Sequence, residues 1–359
     1  MPPEIVGWDI GGAHLKAAGV DAAGCVAFVR QVPCPVWRGL GELDRALATL
    51  APVVDEARAH AITMTAESAD AFPDRATGVE AICTWATQRF APAAVCVFDR
   101  AEGLIAPERA VRRVAEVGST NWAATAAWVA SRVRDALVLD IGSTTADLVP
   151  IVGGRCAATA LGDHARLTAR ELVYTGVVRT PVMALAQSVP LGGRDVPLCA
   201  EVFATMGDVY RWLERLEADY DQAATADGRG RSREESAARL ARMIGLDAED
   251  AGTALIDELA LALAARQMDL LVRAWEAVVA KHPALARAPI VALGAGCFLA
   301  MDLAKRVGVP VRTFASLVPA PPGEAPLARG ITLAGPAVAV ALLAHAAAAP
   351  VEDTRRCGW

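Results

Sequence analysis

The chain has 359 residues, 54% of them hydrophobic and 21% charged, which is enough apolar surface for two packed domains and excludes a disordered chain. A net charge of −6 excludes a general affinity for nucleic acid. Eight cysteines without a CxxC pair argue against structural zinc and against a disulfide scaffold.

The N-terminus shows no basic segment leading into an apolar run, so no signal peptide is expected and a cytoplasmic location is. Ile5–Trp8, Leu15–Val20 and Val26–Val32 read as three strands joined by short turns such as Asp21-Ala22-Ala23-Gly24. Leu40–Arg58 has helical spacing, with Leu40, Leu43, Leu47 and Leu50 on one face. Ala61–Met64 predicts a strand, Val79–Arg89 a helix and Val95–Phe98 another strand, so the sheet should be mixed and flanked by helices. Gly118-Ser119-Thr120-Asn121 supplies caps for a helix over Trp122–Val133.

The pattern then restarts, with Leu137–Asp140, Thr144–Ile151 and Arg155–Ala160 again reading as three strands. Glu201–His282 is helical apart from a break at Ala226–Gly230, and Ala254–Ala280 suggests one long buried helix. Ile290–Leu293 is a strand that ends in Gly294-Ala295-Gly296 and opens a helix over Phe298–Val307. Gly330–Val351 carries no Asp, Glu, Lys or Arg and is long enough to span a bilayer. Its many alanines, Pro336, His345 and lack of aromatic anchors favour a helix buried in a globular domain, so no membrane association is expected.

Two stretches share one design. Asp9-Ile10-Gly11-Gly12-Ala13-His14-Leu15-Lys16 and Asp140-Ile141-Gly142-Ser143-Thr144-Thr145-Ala146-Asp147 each follow an apolar strand, turn through small residues and lead into another strand. They lie roughly 130 residues apart, a domain-scale period rather than that of a solenoid. A strand that ends in an acid and turns through glycine exposes backbone N–H groups to phosphate oxygens, while the acid can hold a hydrated cation. Alone, each is equally well an ordinary tight turn; together they predict a clamp in which two hairpins face one polyphosphate. Gly294-Ala295-Gly296 either lets an anionic group approach a helix N-terminus or only packs helix against strand. Of 35 basic residues only Lys16, Lys281 and Lys305 are lysines, and Lys16 falls inside the first hairpin.

The paired Asp-Ile-Gly hairpins with the late Gly-x-Gly resemble the actin/sugar-kinase/Hsp70 ATPase superfamily, and within it the hydantoinase A/oxoprolinase family. Gly118–Trp122, Tyr174–Pro181 and Gly207–Arg211 extend the likeness to a branch linked to tetrahydromethanopterin C1 transfer and methanofuran biosynthesis. The resemblance implies an α/β fold of two actin-like (ribonuclease H-like) domains, with mixed sheets flanked by helices around an interdomain cleft. It places the first domain at 1–118, completed by a C-terminal helix at 325–346. The second covers 119–320 with a helical insert at about 201–282, and 347–359 forms a flexible tail.

The activity implied is a synthase that condenses an aminomethylfuran-methyl diphosphate with γ-glutamyltyramine into an aryl ether and releases pyrophosphate. An ATP-dependent phosphotransferase or amidohydrolase of the hydantoinase/oxoprolinase type, using ATP and releasing ADP, is the alternative. A nucleotide-gated scaffold is a second. Ala13 and Lys16 stand where the broader family carries Thr and Asp, and Ala146 where a hydroxyl is common, which weakens the ATP-dependent reading. On the synthase reading Asp9 and Asp140 hold Mg²⁺. Gly11, Gly12, Gly142, Ser143, Thr144 and Thr145 cradle the phosphates, Lys16 binds them directly, and Gly294 and Gly296 lie beside them. Asp147 or His14 is the base for a phenol whose ordinary pKa is about 10. Arg179, with Tyr174 nearby, meets the glutamyl carboxylate or is a plain surface arginine, and Asn121 lines the cleft or only caps its helix. The partners are these small molecules, with a homodimer also admitted.

Overall fold

The computed structural model describes residues 3–348 except 51–53, 55 and 221. The expected tail at 347–359 falls outside them from 349 on. Two compact units emerge. One takes in the described residues up to Ala136, Val149–Ala165 and those from Thr313 onward; the other takes in Leu137–Leu148 and Arg166–Arg312.

The first unit is built on a six-stranded sheet: β1 (Ile5–Ile10), β2 (His14–Val20), β3 (Val26–Pro33), β4 (Ala59–Met64), β5 (Ala94–Asp99) and β6 (Gly103–Ile105), in the order β3-β2-β1-β4-β5-β6. β1 pairs antiparallel with β2 and parallel with β4, and β4 pairs parallel with β5. All six residues of β1 are buried, as a strand covered on both faces requires. One cover is the helix Gly335–Ala348, which packs on β1, β2, β4 and the helix Asn121–Ala130. That helix is apolar all round because protein surrounds it. It comes so close that a Cβ on Gly7 would lie 2.1 Å from the Ala337 carbonyl oxygen. A 95° bend separates it from the helix Ala325–Leu333, and among the described residues no single helix is long and apolar enough to cross a membrane.

The second sheet contains β7 (Ala136–Ile141), β8 (Ala146–Val152), β9 (Arg155–Cys156), β10 (Leu172–Val173), β13 (Ile290–Leu293) and β14 (Val311–Thr313). Its order is β10-β8-β7-β13-β14, with β9 beside β8. The third strand of the restarted pattern is reduced to two residues, and β10 takes the pairing along Ala146 and Asp147 instead. A separate two-stranded ribbon, β11 (Ser188–Leu191) with β12 (Arg194–Pro197), turns through Gly192 and Gly193, both at positive φ. The helical region resolves into Met206–Trp212, Arg233–Arg242 and Ala248–Lys281, the last interrupted at Gly252 (φ 67°, ψ 164°). Between the first two, the break at Ala226–Gly230 is held by Arg239. This side chain is 1% exposed and bonds Asp208 (2.7 Å), Asp227 (3.0 Å) and the Gly230 carbonyl (3.2 Å).

Candidate active site

β1 runs two residues past Trp8, so Asp9 belongs to the strand rather than to the turn. Its register opposes it to Lys16 on β2 and to Thr63 on β4, and opposed residues share one face of a sheet. Lys16 Nζ lies 3.4 Å from Asp9 Oδ2, with the lysine 23% exposed and the aspartate 4%. The carboxylate is therefore buried beneath a cation that still reaches solvent. The turn closes through Gly11 N–H to the His14 carbonyl (3.0 Å), so Gly12 and Ala13 form its tip. Neither Gly11 nor Gly12 has positive φ, and a Cβ on Gly12 would meet nothing within 4 Å. Backbone geometry does not demand glycine at Gly12, whereas close approach of another group to the peptide would.

The second hairpin repeats this construction. β7 carries Asp140, and Gly142 N–H donates to the Thr145 carbonyl at 2.8 Å, leaving Ser143 and Thr144 at the tip. Gly294 and Gly296 belong to its framework. Gly294 has φ 84°, and a Cβ there would lie 2.4 Å from Asp140 Oδ1 and 2.3 Å from the Ile141 carbonyl oxygen. Gly296 N–H donates to that carbonyl at 2.8 Å. Both glycines let β13 and the helix Cys297–Val307 press onto the acidic hairpin, which is the packing explanation of the Gly-x-Gly. Burial first, and then the Asp140 charge, push the Cys297 thiol up to about 11.

The Tyr174–Pro181 stretch lies against the same hairpin. Val177 N–H donates to the Gly142 carbonyl (3.1 Å), while Val178 (3.1 Å) and Arg179 (2.8 Å) donate to that of Ser143. A Cβ on Gly176 would lie 2.4 Å from Thr144 N. Behind it Gln267, fully buried, donates to Thr175 Oγ1 (2.8 Å) and the Gly176 carbonyl (2.9 Å) and accepts from the Tyr210 hydroxyl (2.5 Å). Tyr174 (62% exposed) and Arg179 both point outward beside the hairpin.

The remaining expected residues separate. Asp147 Oδ1 accepts from Arg166 Nη1 at 2.6 Å, and Arg166 is itself buried and donates to the Glu171 carbonyl. Asp147 is thus already engaged by an arginine of its own unit. His14 opens β2, half-buried, immediately after the first turn. Asn121 is the first residue of its helix, and its Oδ1 accepts from the neighbouring Trp122 N–H.

One pair of groups lies outside the sequence expectations. Glu67, fully buried in the turn after β4, accepts from the Ser119 hydroxyl at 2.8 Å. Burial raises its pKa, opposed by the Ser119 hydrogen bond and by Arg75. A lone Glu between Ala66 and Ser68 carries no motif; only Ser119, in a segment already singled out, hinted at it.

Among the described residues no three His, Cys, Asp or Glu side chains gather into a metal-binding group. One carboxylate per hairpin suits Mg²⁺, which keeps most of its water and takes further ligands from substrate phosphates.

A model of the hydantoinase/oxoprolinase family matches residues 58–322. The chain belongs to that family. This hydantoinase/oxoprolinase chain is 34% identical over 246 residues to the (4-{4-[2-(gamma-L-glutamylamino)ethyl]phenoxymethyl}furan-2-yl)methanamine synthase of Methanocaldococcus jannaschii, covering 68% of this chain and 72% of that protein. A protein of the same name from Methanococcus vannielii is 32% identical over 115 residues, 32% of this chain and 51% of that one, so the match spans about half of that relative. Among solved structures, nucleotide-free acetone carboxylase has a TM-score of 0.51 at 11% identity, over 85% of this chain and 67% of that one. That likeness is one of fold alone; this family member's own sheets are mixed and flanked by helices.

Proposed function

We propose that this chain is an enzyme that joins an aminomethylfuran-methyl diphosphate to the phenol oxygen of γ-glutamyltyramine, forming an aryl ether and releasing pyrophosphate. The observation that carries the reading is the Lys16–Asp9 pair at the foot of an open glycine turn. The similarity to two proteins named as this synthase supports it.

In the reaction the bond between the methylene carbon and the diphosphate oxygen breaks, and its electron pair leaves with pyrophosphate. The electron-rich furan stabilises the positive charge left on carbon, and a lone pair of the phenol oxygen forms the new bond. What the protein must supply is neutralisation of a developing polyanion. Lys16 does this as a point charge, held upright by Asp9 beneath it. Backbone N–H groups at the Gly12 tip are the fixed donors beside it. Mg²⁺, held by Asp9 or Asp140 and by water, would offset further phosphate charge when bound. Arg179 is assigned to the glutamyl carboxylate.

The test is direct. Purified protein with both substrates and Mg²⁺ should form ether and pyrophosphate in equal amounts with no nucleotide added. A strict requirement for ATP, with ADP as product, would overturn the reading. Lys16→Ala should lower kcat by about 100-fold or more while the thermal transition shows the protein still folded.

A further inference from the structure

We propose that Ser119 and Glu67 form the relay that removes the acceptor's phenolic proton, with Ser119 the group that touches substrate and Glu67 the proton store behind it. The inference rests on the synthase reading above.

The relay sits beside the first hairpin. β4 runs parallel to β1, so the turn Ala66–Ser68 and the glycine turn leave the sheet at the same edge. Thr65 N–H donates to the Ile10 carbonyl at 3.0 Å, and a Cβ on Gly11 would lie 3.7 Å from Thr65 Oγ1. Glu67 follows two residues later. Its Oε1 takes the Ser119 hydroxyl at 2.8 Å; its Oε2 is buried with no hydrogen-bond partner. A carboxyl serving only to fasten Ser119 would gain nothing from an unpaired second oxygen, which costs stability when buried. Ser119 itself is half-exposed at φ 51°, a conformation rare for a residue with a side chain, and Trp122 Nε1 fixes its carbonyl at 2.9 Å. The closely packed glycines Gly78 and Gly118 shut Glu67 in on the other sides.

The charges that reach Glu67 are Arg75, which favours ionisation, and Asp163, which opposes it; these two pair with each other at 3.3 Å. Burial therefore dominates and raises the carboxyl's pKa, which makes the ionised Glu67 a stronger base than an exposed carboxylate. In the step, the phenol O–H breaks and its proton passes to Ser119 Oγ as the serine's own proton passes to Glu67. The freed oxygen pair forms the ether bond, and the electrons of the breaking carbon–oxygen bond leave with pyrophosphate. Glu67 later returns the proton to solvent through the same serine.

Ser119→Gly is the decisive variant, because glycine accepts φ 51° without strain and only the hydroxyl is lost. We expect it to stay folded, the relief of strain at φ 51° offsetting part of the lost hydrogen bond to Glu67, yet to turn over about 100-fold more slowly, with an unchanged KM for the diphosphate. Glu67→Gln should do the same and abolish the acidic limb of the pH–rate profile. A ring-fluorinated acceptor, whose phenol ionises more readily, should restore much of the rate in both. Wild-type rates in the variants, or slow rates indifferent to fluorination, would overturn the relay. A separate readout needs no turnover: infrared titration of wild type should show a protonated carboxyl persisting above the ordinary carboxylate range and missing in Glu67→Gln. Absence of that band would overturn the relay. A wild type that forms no ether while showing the band would retire the synthase reading and the proposed substrate step, leaving the pair as a buried proton store.

Discussion

His60 illustrates how one residue makes the protein sensitive to pH. Its ring is 3% exposed, accepts the Trp8 indole N–H at 3.0 Å and stacks on Phe90 at a centroid distance of 4.0 Å. Burial lowers its pKa to about 4 from an ordinary 6.5. The unfolded chain therefore binds the proton first, so stability is complete above pH 6.5 and is lost as pH falls from there toward 4. The loss is at most about 3 kcal/mol. Denaturant titrations across that window should show the decline, and His60→Gln, which keeps an acceptor for Trp8 but does not titrate, should flatten it. Among single residues, Lys16 was legible because lysine is so scarce here. Glu67 was not, since burial and an unpaired oxygen are properties of its neighbours rather than of its own letter.

At the scale of elements, the two acidic hairpins were legible by repetition, but what supports them was not. Gly294→Ala should destabilise the second by about 2–3 kcal/mol, because the added methyl meets Asp140 and a carbonyl while φ stays at 84°. Chemical denaturation would measure this directly. The pairing of Asp208 with Arg211 follows from helical spacing, and the structure keeps it at 2.7 Å. Arg239, twenty-eight positions further on, is the larger contributor, since it ties the same buried carboxylate to the loop at Asp227. Arg239→Met should cost about 3 kcal/mol in the same measurement, because Asp208 then stays buried with half its compensation. The β11–β12 ribbon turns through Gly192-Gly193 between Ser188–Leu191 and Arg194–Pro197, a turn cue that periodicity alone passes over.

At the scale of the whole molecule, the chain's end completes its beginning. The helix Gly335–Ala348 covers β1, β2 and β4, which begin some three hundred residues earlier in the chain (roughly; the separation is a topological matter, not an energetic one). Truncation after Leu333 should therefore expose the central face of the first sheet. We expect an aggregating product that binds a hydrophobic dye, where the full chain does not. The boundary between units runs through β8, so a cut at either nearby hairpin would not yield an intact domain.

Apolar alternation, helical spacing and turn residues are local quantities, and from them the sequence itself determined β1–β5, β7, β8 and β13, the principal helices and the duplicated acidic turns. Which strands became neighbours was another matter. The two-residue β9, the neutralisation of Asp147 by Arg166 and the burial of Glu67 behind Ser119 all depend on groups distant in the chain arriving side by side. Charge pairing and desolvation act through space, so only the tertiary structure decided which carboxylate meets an arginine and which is shut in with an unpaired oxygen.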